Sequence, residues 1–319
     1  MCLCCPETEE GPPKHAPLIT AGEVALTSLD SITTDFSSES RPIQKPSVIG
    51  RFLDSLRLPE SLLMHDLDNP KNQDLIRRIF RRKSFLRAVY LHFYSQLLCR
   101  VPKNQSIVEI GSGVGFFQQV CPQAIATDIL PYRGLDLCLS GMQLPFQSES
   151  VGSYVMVDVF HHIPDPKRFL TEMGRCLQPS GRIVMIEPAN TLFSRFIYTR
   201  FHHENFDPSP ADSCGECSGN SPKGWLLPPG GPLSSANMAL PWIVFCRDQD
   251  RFSRECPGLK VLEIKLMAPF QYIISGGLSL RQLLPGRAWP LVNELEKSLS
   301  PLLPWLAMFM VVVLGHRDD

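Results

Sequence analysis

Three glycines at alternate positions, Gly111, Gly113 and Gly115, follow Glu109 in the run Val-Glu-Ile-Gly-Ser-Gly-Val-Gly. Glycine takes positive φ at little cost and lets main chain approach a ligand closely, and a turn that opens a helix offers free N–H groups to a carboxylate or phosphate. The spacing argues against two common uses of such a loop. A dinucleotide site places its third glycine three positions after the second, where this chain has Phe116, and a phosphate P-loop ends in Gly-Lys-Ser/Thr, whereas no lysine is present here. Seventeen positions after Gly111, Asp128 ends the next apolar run, and a carboxylate there can accept two hydroxyl hydrogens at once. Tight packing of a strand on a helix would also use the glycines, and a surface turn before Leu130-Pro131 would also suit Asp128.

A second set of candidates lies downstream. His161 and His162 follow the apolar run Ser-Tyr-Val-Met-Val-Asp-Val, which places them at the carboxyl end of a strand, where open α/β sheets bind ligands. Imidazole titrates near neutral pH and can take a proton from an acceptor group. These two are the candidate catalytic residues, with the alternative that one walls a pocket while the other satisfies a backbone carbonyl. Asp158 either holds a cofactor or orients a histidine, and a strand-end cap is the plainer alternative. His202, His203 and Glu204 form a second candidate base, and with Cys214 and Cys217 they have the residue types of a zinc site. One Cys-x-x-Cys without a second pair is thin support, so no metal is expected.

The run Glu109 to Gly115 is similar to the first motif of the class I S-adenosylmethionine-dependent methyltransferases. Leu144-Pro145-Phe146, His161-His162 and the turn Leu177-x-Pro179-x-Gly181 follow in order, and residues 105–190 resemble the type-11 subgroup of that family. The resemblance implies S-adenosylmethionine as cofactor, with S-adenosylhomocysteine released. It also implies an α/β fold, a doubly wound, mostly parallel sheet of seven strands with the last antiparallel. It assigns to the cofactor Glu109, Gly111, Ser112, Gly113, Gly115, Asp128, Ile129, Gly141, Met142, Gln143, Asp158 and Val159, with Asp128 on the ribose hydroxyls. The family commonly carries Asp and Ala before the Leu-Pro-Phe element, where this chain has Ser140 and Gly141. The adenine amine contact is therefore expected from backbone between Gly141 and Gln143.

Methyl transfer from a sulfonium is an in-line displacement, so a protein contributes alignment and exclusion of water and needs no nucleophile of its own. The apolar segments 240–245 and 269–278 suggest a small or lipid-like acceptor. No platform of interleaved aromatic and basic residues suggests nucleic acid. A non-catalytic methyltransferase-like module that binds the cofactor is the alternative function.

The elements that must position these residues follow from periodicity. Short apolar runs at 106–111, 124–129, 135–139, 153–159, 182–187, 260–267 and 306–314 predict strands, and Pro166 after a capping Asp165 opens a helix that closes before Pro179. Only Leu-Pro-Tyr-Arg-Gly separates the second and third strands, too little for a crossover helix, so one helix of the doubly wound pattern is expected to be missing. Residues 1–48, rich in Pro, Ser and Thr, are expected to form a disordered tail. Residues 49–104 form a helical extension carrying the stripe Ile76, Ile79, Leu86, Val89, Tyr90, Phe93 and Leu97. Residues 105–319 form the main domain, interrupted by a Pro/Gly-rich insertion at about 202–238 that would serve as a lid. Arg77, Arg78, Arg81, Arg82, Lys83 and Arg87 cluster within a basic helix spanning 75–99, which offers a peripheral membrane contact, although a solvated face is the more common use of such a run.

Lysine plus arginine (31) nearly balances aspartate plus glutamate (32), so no global field draws the chain to nucleic acid or anionic membrane. Eleven cysteines, an odd number with Cys121, Cys138 and Cys176 inside apolar runs, read as reduced thiols in a cytoplasmic protein. Cys2, Cys4 and Cys5 are candidate acylation sites.

Overall fold

The strand run Ile107–Ile110 (β1) is buried along its whole length, as expected of a central parallel strand covered on both faces. The computed structural model describes residues 55–60, 68–202, 204–209 and 225–317. The expected tail 1–48, His203, Cys214 and Cys217 lie outside the described residues.

Between residue 68 and β1 lie two α-helices, α1 (Gln73–Arg82) and α2 (Ser84–Leu98). Six further strands follow it: β2 (Ile125–Asp128), β3 (Leu137–Cys138), β4 (Val151–Val157), β5 (Leu177–Pro188), β6 (Leu259–Met267) and β7 (Phe309–His316). They form one seven-stranded sheet in the order β3-β2-β1-β4-β5-β7-β6. Strands β1 to β5 pair in parallel, and β7 runs antiparallel to both β5 and β6. All seven expected strands are present, with β7 reversed as expected. The third shrinks from 135–139 to two exposed residues, and Cys138 is exposed there rather than buried.

The shortage of crossover helices is larger than expected. Between α2 and the helix Pro166–Cys176 (α3) there is no α-helix. The glycine loop leads only into a 3₁₀ turn at Phe117–Gln119, and the links on either side of β3 carry no helix. The preceding helices supply the missing cover. Gln73 of α1 donates to the Arg133 carbonyl at 2.8 Å and accepts from the Arg133 N–H at 2.9 Å, which ties α1 to the loop between β2 and β3. In α2, Phe85, Leu86, Val89, Phe93 and Leu97 are buried. The Phe93 ring lies 5.2 Å from Phe309 of β7, and Tyr94 lies 5.3 Å from Phe117. Each such side chain stabilises the fold by roughly 1.5–3 kcal/mol.

The single basic helix expected over 75–99 is two helices. Lys83 leaves helical geometry (φ −94, ψ 86) and buries its ammonium against the Gly277 and Leu280 carbonyls. Arg77 is spent on the Val114 and Arg133 carbonyls and Arg82 on Glu60, so Arg78, Arg81 and Arg87 remain as the exposed cations not committed in this way. Among the described residues no helix is long and apolar enough to cross a membrane.

Helix α3 starts as its sequence dictates, with Pro166 in the first turn and the Asp165 carboxylate accepting from the Arg168 N–H at 3.0 Å. After β5, Thr191 and Ser194 cap one another to start α4 (Leu192–Phe201).

Candidate functional site

The loop after β1 holds all three glycines at positive φ, with Gly111 at 70°, Gly113 at 53° and Gly115 at 76°. It is stitched to β2 by backbone and side-chain bonds. Ser112 N–H donates to the Thr127 carbonyl at 2.9 Å, Thr127 N–H to Ser112 Oγ at 3.0 Å, and Thr127 Oγ1 to the Glu109 carbonyl at 2.7 Å. Asp128, buried at the end of β2, accepts from the Gly113 N–H through Oδ2 at 2.8 Å and from the Leu130 N–H through Oδ1 at 2.9 Å. Each carboxylate oxygen keeps a further lone pair for a ligand hydroxyl.

This loop forms one end of a cavity of about 720 Å³, within the size range of small-molecule sites. Glu109, Gly111, Ser112, Gly113, Asp128, Ile129, Gly141, Met142, Asp158, Val159 and His162 all line it. Three sequence candidates stand outside its lining: Gly115, Gln143 and His161. Gly115 shapes the turn by donating to the Ser112 carbonyl at 2.9 Å, and Gln143 folds its N–H back to the Ser140 carbonyl at 3.1 Å. The Met142 carbonyl is taken by Arg168 at 2.9 Å, and Ser140 to Met142 is the part of this segment that lines the cavity. Gly141 is needed for a different reason from the loop glycines, because a Cβ there would stand 2.4 Å from the Phe169 ring.

Glu109 supplies an independent mark of a ligand. Its Oε2 is buried without a hydrogen-bond partner, an expensive state for a carboxylate. Burial, aided by the charge of Asp128 and opposed by a hydrogen bond from Ser112, pushes its pKa up to about 7. A cationic group in the cavity would satisfy that oxygen. Asp158, also on the wall, sits at φ 55°, a left-handed conformation that a non-glycine residue holds only under constraint. Burial pushes its carboxyl up to about 8; the neighbouring His161 opposes this, and Glu187 and Glu204 reinforce it.

The two histidines separate. His161 is buried away from the cavity with Nδ1 2.8 Å from Glu187 Oε2 and Nε2 3.3 Å from Glu204 Oε2. Burial alone would lower its pKa, but the two carboxylates outweigh that and lift it to about 10. It does not line the cavity, and both nitrogens face carboxylates rather than an acceptor, so the expectation of His161 as a general base is corrected on that ground. His162 does reach the cavity. Its Nδ1 donates to the Ser235 carbonyl at 3.2 Å, and burial, together with the His161 charge, lowers its pKa to about 4.

Several site residues were not identified from the sequence. Glu187, at the end of β5, accepts from the Val159 N–H at 2.9 Å and the Phe160 N–H at 2.7 Å as well as holding His161. An acid closing an otherwise apolar run, Arg-Ile-Val-Met-Ile-Glu, was the available signal. Phe80, Tyr90, Tyr94, Phe116 and Tyr132 form an aromatic wall, with Phe80 stacked on Phe116 at 3.6 Å between centroids. No local pattern announces it. The returning arm of the insertion, Leu227 to Leu233, lines the cavity as well. It is anchored by Leu227 N–H on the Pro164 carbonyl and by Leu233 N–H on Asp68 at 2.6 Å.

Residues 108–185 match the family model described as a methyltransferase domain. No curated protein matches the chain. Among solved structures the chain is similar to a putative methyltransferase from Haloferax volcanii in complex with its Trm112 activator, at 13% identity and TM-score 0.43 over 77% of this chain and 96% of that one. It is similar to a possible histamine N-methyltransferase from Thermotoga maritima, at 15% identity and TM-score 0.43 over 78% and 97%. A geranyl diphosphate C-methyltransferase from Streptomyces coelicolor aligns at 11% identity and TM-score 0.41 over 82% and 88%.

Proposed function

We propose that residues 108–185, which match the family model described as a methyltransferase domain, form a class I S-adenosylmethionine-dependent methyltransferase domain, and that the chain methylates a small, apolar or lipid-like acceptor held in the aromatic half of the cavity. One constellation carries this reading: an open glycine loop, an acid at the end of β2 bonded to it, and a buried carboxylate oxygen with no partner. When bound, S-adenosylmethionine supplies an electrophilic methyl on a sulfonium. Gly111 to Gly113 would receive its amino-acid end by main chain and Asp128 its ribose hydroxyls. Glu109 would hold a cationic group, and Ser140 to Met142 the base. Gly113 fits this role, since a Cβ there would meet nothing within 4 Å.

The acceptor half of the reading is supported by the chemistry of the remaining wall. Ile76, Phe80, Tyr90, Phe116, Leu227 and Leu233 offer rings and aliphatic surface, which favour an apolar guest and exclude water during an in-line displacement. The insertion arm 227–233 would act as a lid over that half. His161 cannot serve as the base. A proton leaving the acceptor would pass to Asp158, which lines the cavity and holds its carboxyl near the working pH of a general base. An acceptor without an acidic proton would need no base at all.

The test is incubation of the purified chain with methyl-labelled S-adenosylmethionine and a panel of lipid extracts and aromatic small molecules. Labelled product with stoichiometric S-adenosylhomocysteine is expected. Cofactor binding at equilibrium without any release of S-adenosylhomocysteine would favour a non-catalytic binding module instead.

A further inference from the structure

The polar cluster behind His162 has a geometry that the methyl-transfer reading does not use. His161 and His162 lie side by side, ring centroids 4.2 Å apart, and each directs Nε2 at the same carboxylate. His161 Nε2 stands 3.3 Å from Glu204 Oε2, and His162 Nε2 stands 3.6 Å from Glu204 Oε1. A charge-assisted N–H to carboxylate bond settles at about 2.7–2.9 Å, so these separations are long for direct bonds. Taken as one ligand atom from each residue, His161, His162 and Glu204 gather within 4.8 Å of one another, a small side-chain adjustment from the roughly 3.3 Å between ligand atoms of a tetrahedral site with bonds of about 2.0 Å. The outer nitrogens are arranged to match. His161 Nδ1 donates to the buried Glu187 carboxylate at 2.8 Å, and His162 Nδ1 donates to the Ser235 carbonyl at 3.2 Å. Ligating histidines are characteristically fixed in this way, one nitrogen held by a carboxylate or carbonyl so that the other presents its lone pair.

We propose that His161 Nε2, His162 Nε2 and the Glu204 carboxylate bind a divalent cation of the zinc class, oriented by Glu187 and by the Ser235 carbonyl. Two imidazoles and a carboxylate are a borderline nitrogen and oxygen set that suits zinc or cobalt better than magnesium or calcium. The ion takes the place of the proton on His161 Nε2. Three protein ligands leave one position of a four-coordinate ion for water or another donor; His202, whose Nδ1 lies 3.7 Å from Glu204 Oε2, is the nearest further imidazole among the described residues. Glu204 and Ser235 stand on the two arms of the Pro/Gly-rich insertion, and His162 is on the cavity wall. The ion would therefore clamp both arms to the wall. This site shares no cofactor-loop residue, so it stands or falls separately from the methyltransferase reading.

The experiment uses the full chain, stripped by a chelator, dialysed and titrated with Co²⁺. One equivalent is expected to bind, with visible d–d bands of a four- or five-coordinate ion and no intense thiolate-to-cobalt absorption. Glu204→Gln and His162→Asn are each expected to weaken uptake at least 100-fold, and Glu187→Gln is expected to weaken it roughly 10- to 100-fold. Circular dichroism monitors folding, and His162→Asn, at a ring on the cavity wall, carries the test by itself should Glu204→Gln misfold. Lack of uptake by the wild type would show a plain ion-pair cluster and overturn the proposal. Uptake unchanged by His162→Asn, or thiolate bands abolished by Cys214→Ser and Cys217→Ser, would overturn it equally by placing the ion elsewhere.

Discussion

Gly111 and Gly113 share a motif and a positive φ, yet they answer to different constraints. A Cβ on Gly111 would stand 2.4 Å from Val159 Cγ2, while one on Gly113 meets nothing within 4 Å. Gly113→Ala is therefore expected to cost only the left-handed backbone penalty of about 1–2 kcal/mol, and to lose at least tenfold in cofactor affinity because the methyl occupies ligand space. Gly111→Ala should destabilise the fold itself by more than that. Thermal melts read beside calorimetric binding separate the two, and equal melting temperatures would refute the distinction. Glu109 contributes to the pH dependence. Burial raises its pKa from 4.5 to about 7, so the folded state favours the protonated form. Its contribution to stability is complete below pH 4.5 and is lost as pH rises toward 7, so the unliganded protein should be most weakened by this group above 7. A cationic cofactor reverses the preference, and affinity should rise with pH up to about 7 and then level. Asp158, raised to about 8, weakens the fold over an overlapping range, so Glu109→Gln should reduce the slope of the stability profile and flatten the affinity profile, and an unchanged slope in both would remove Glu109 from the site. The glycine loop and Asp128 were legible because a turn needing positive φ writes itself into consecutive residues. The fate of His161 was not, because its partners Glu187 and Glu204 lie 26 and 43 positions away in the chain (187 − 161 and 204 − 161).

At the scale of elements, the sheet was readable in the sequence and its covering was not. Seven short apolar runs, six of them with β-branched residues, mark strands whatever packs on them, and Asp165-Pro166 marks a helix start by local capping chemistry. The break at Lys83 carries no such mark, since the apolar stripe continues across it. Its cause is remote: the Lys83 ammonium donates to the Gly277 and Leu280 carbonyls. Lys83→Met keeps the aliphatic stem but strips these buried carbonyls of their donor. The expected loss is about 1–3 kcal/mol of unfolding free energy, measured by denaturant titration, and a stability equal to the wild type would show that water replaces the ammonium freely. The missing crossover helices have the same kind of explanation. The link between β2 and β3 is too short to contain one, the links before β2 and after β3 are spent on the glycine loop and on irregular backbone, and α1 and α2 cover the gap from outside the nucleotide half of the sheet. Gln73 on the β2–β3 loop is the contact that shows it.

Across the whole molecule, one cavity gathers residues from parts of the chain that no local pattern connects: Ile76 to Tyr94, Glu109 to Phe169, Leu227 to Ser235 and Leu278. Its carboxylates, Glu109, Asp128 and Asp158, belong to the ends of β1, β2 and β4. Its aromatic and aliphatic wall comes from α1, α2 and the insertion arm, with Phe116 from the glycine loop and Tyr132 from the β2–β3 loop. That division suits the proposed reaction between a charged nucleoside donor and an apolar acceptor, and the near balance of charge over the chain leaves recognition to this local arrangement. The most direct test of the account is a crystal structure of the chain grown with S-adenosylhomocysteine. The account predicts density along Gly111 to Gly113, the ribose hydroxyls on Asp128 and an ammonium within reach of Glu109 Oε2. Density bound elsewhere, or a cavity left empty at saturating ligand, would contradict it.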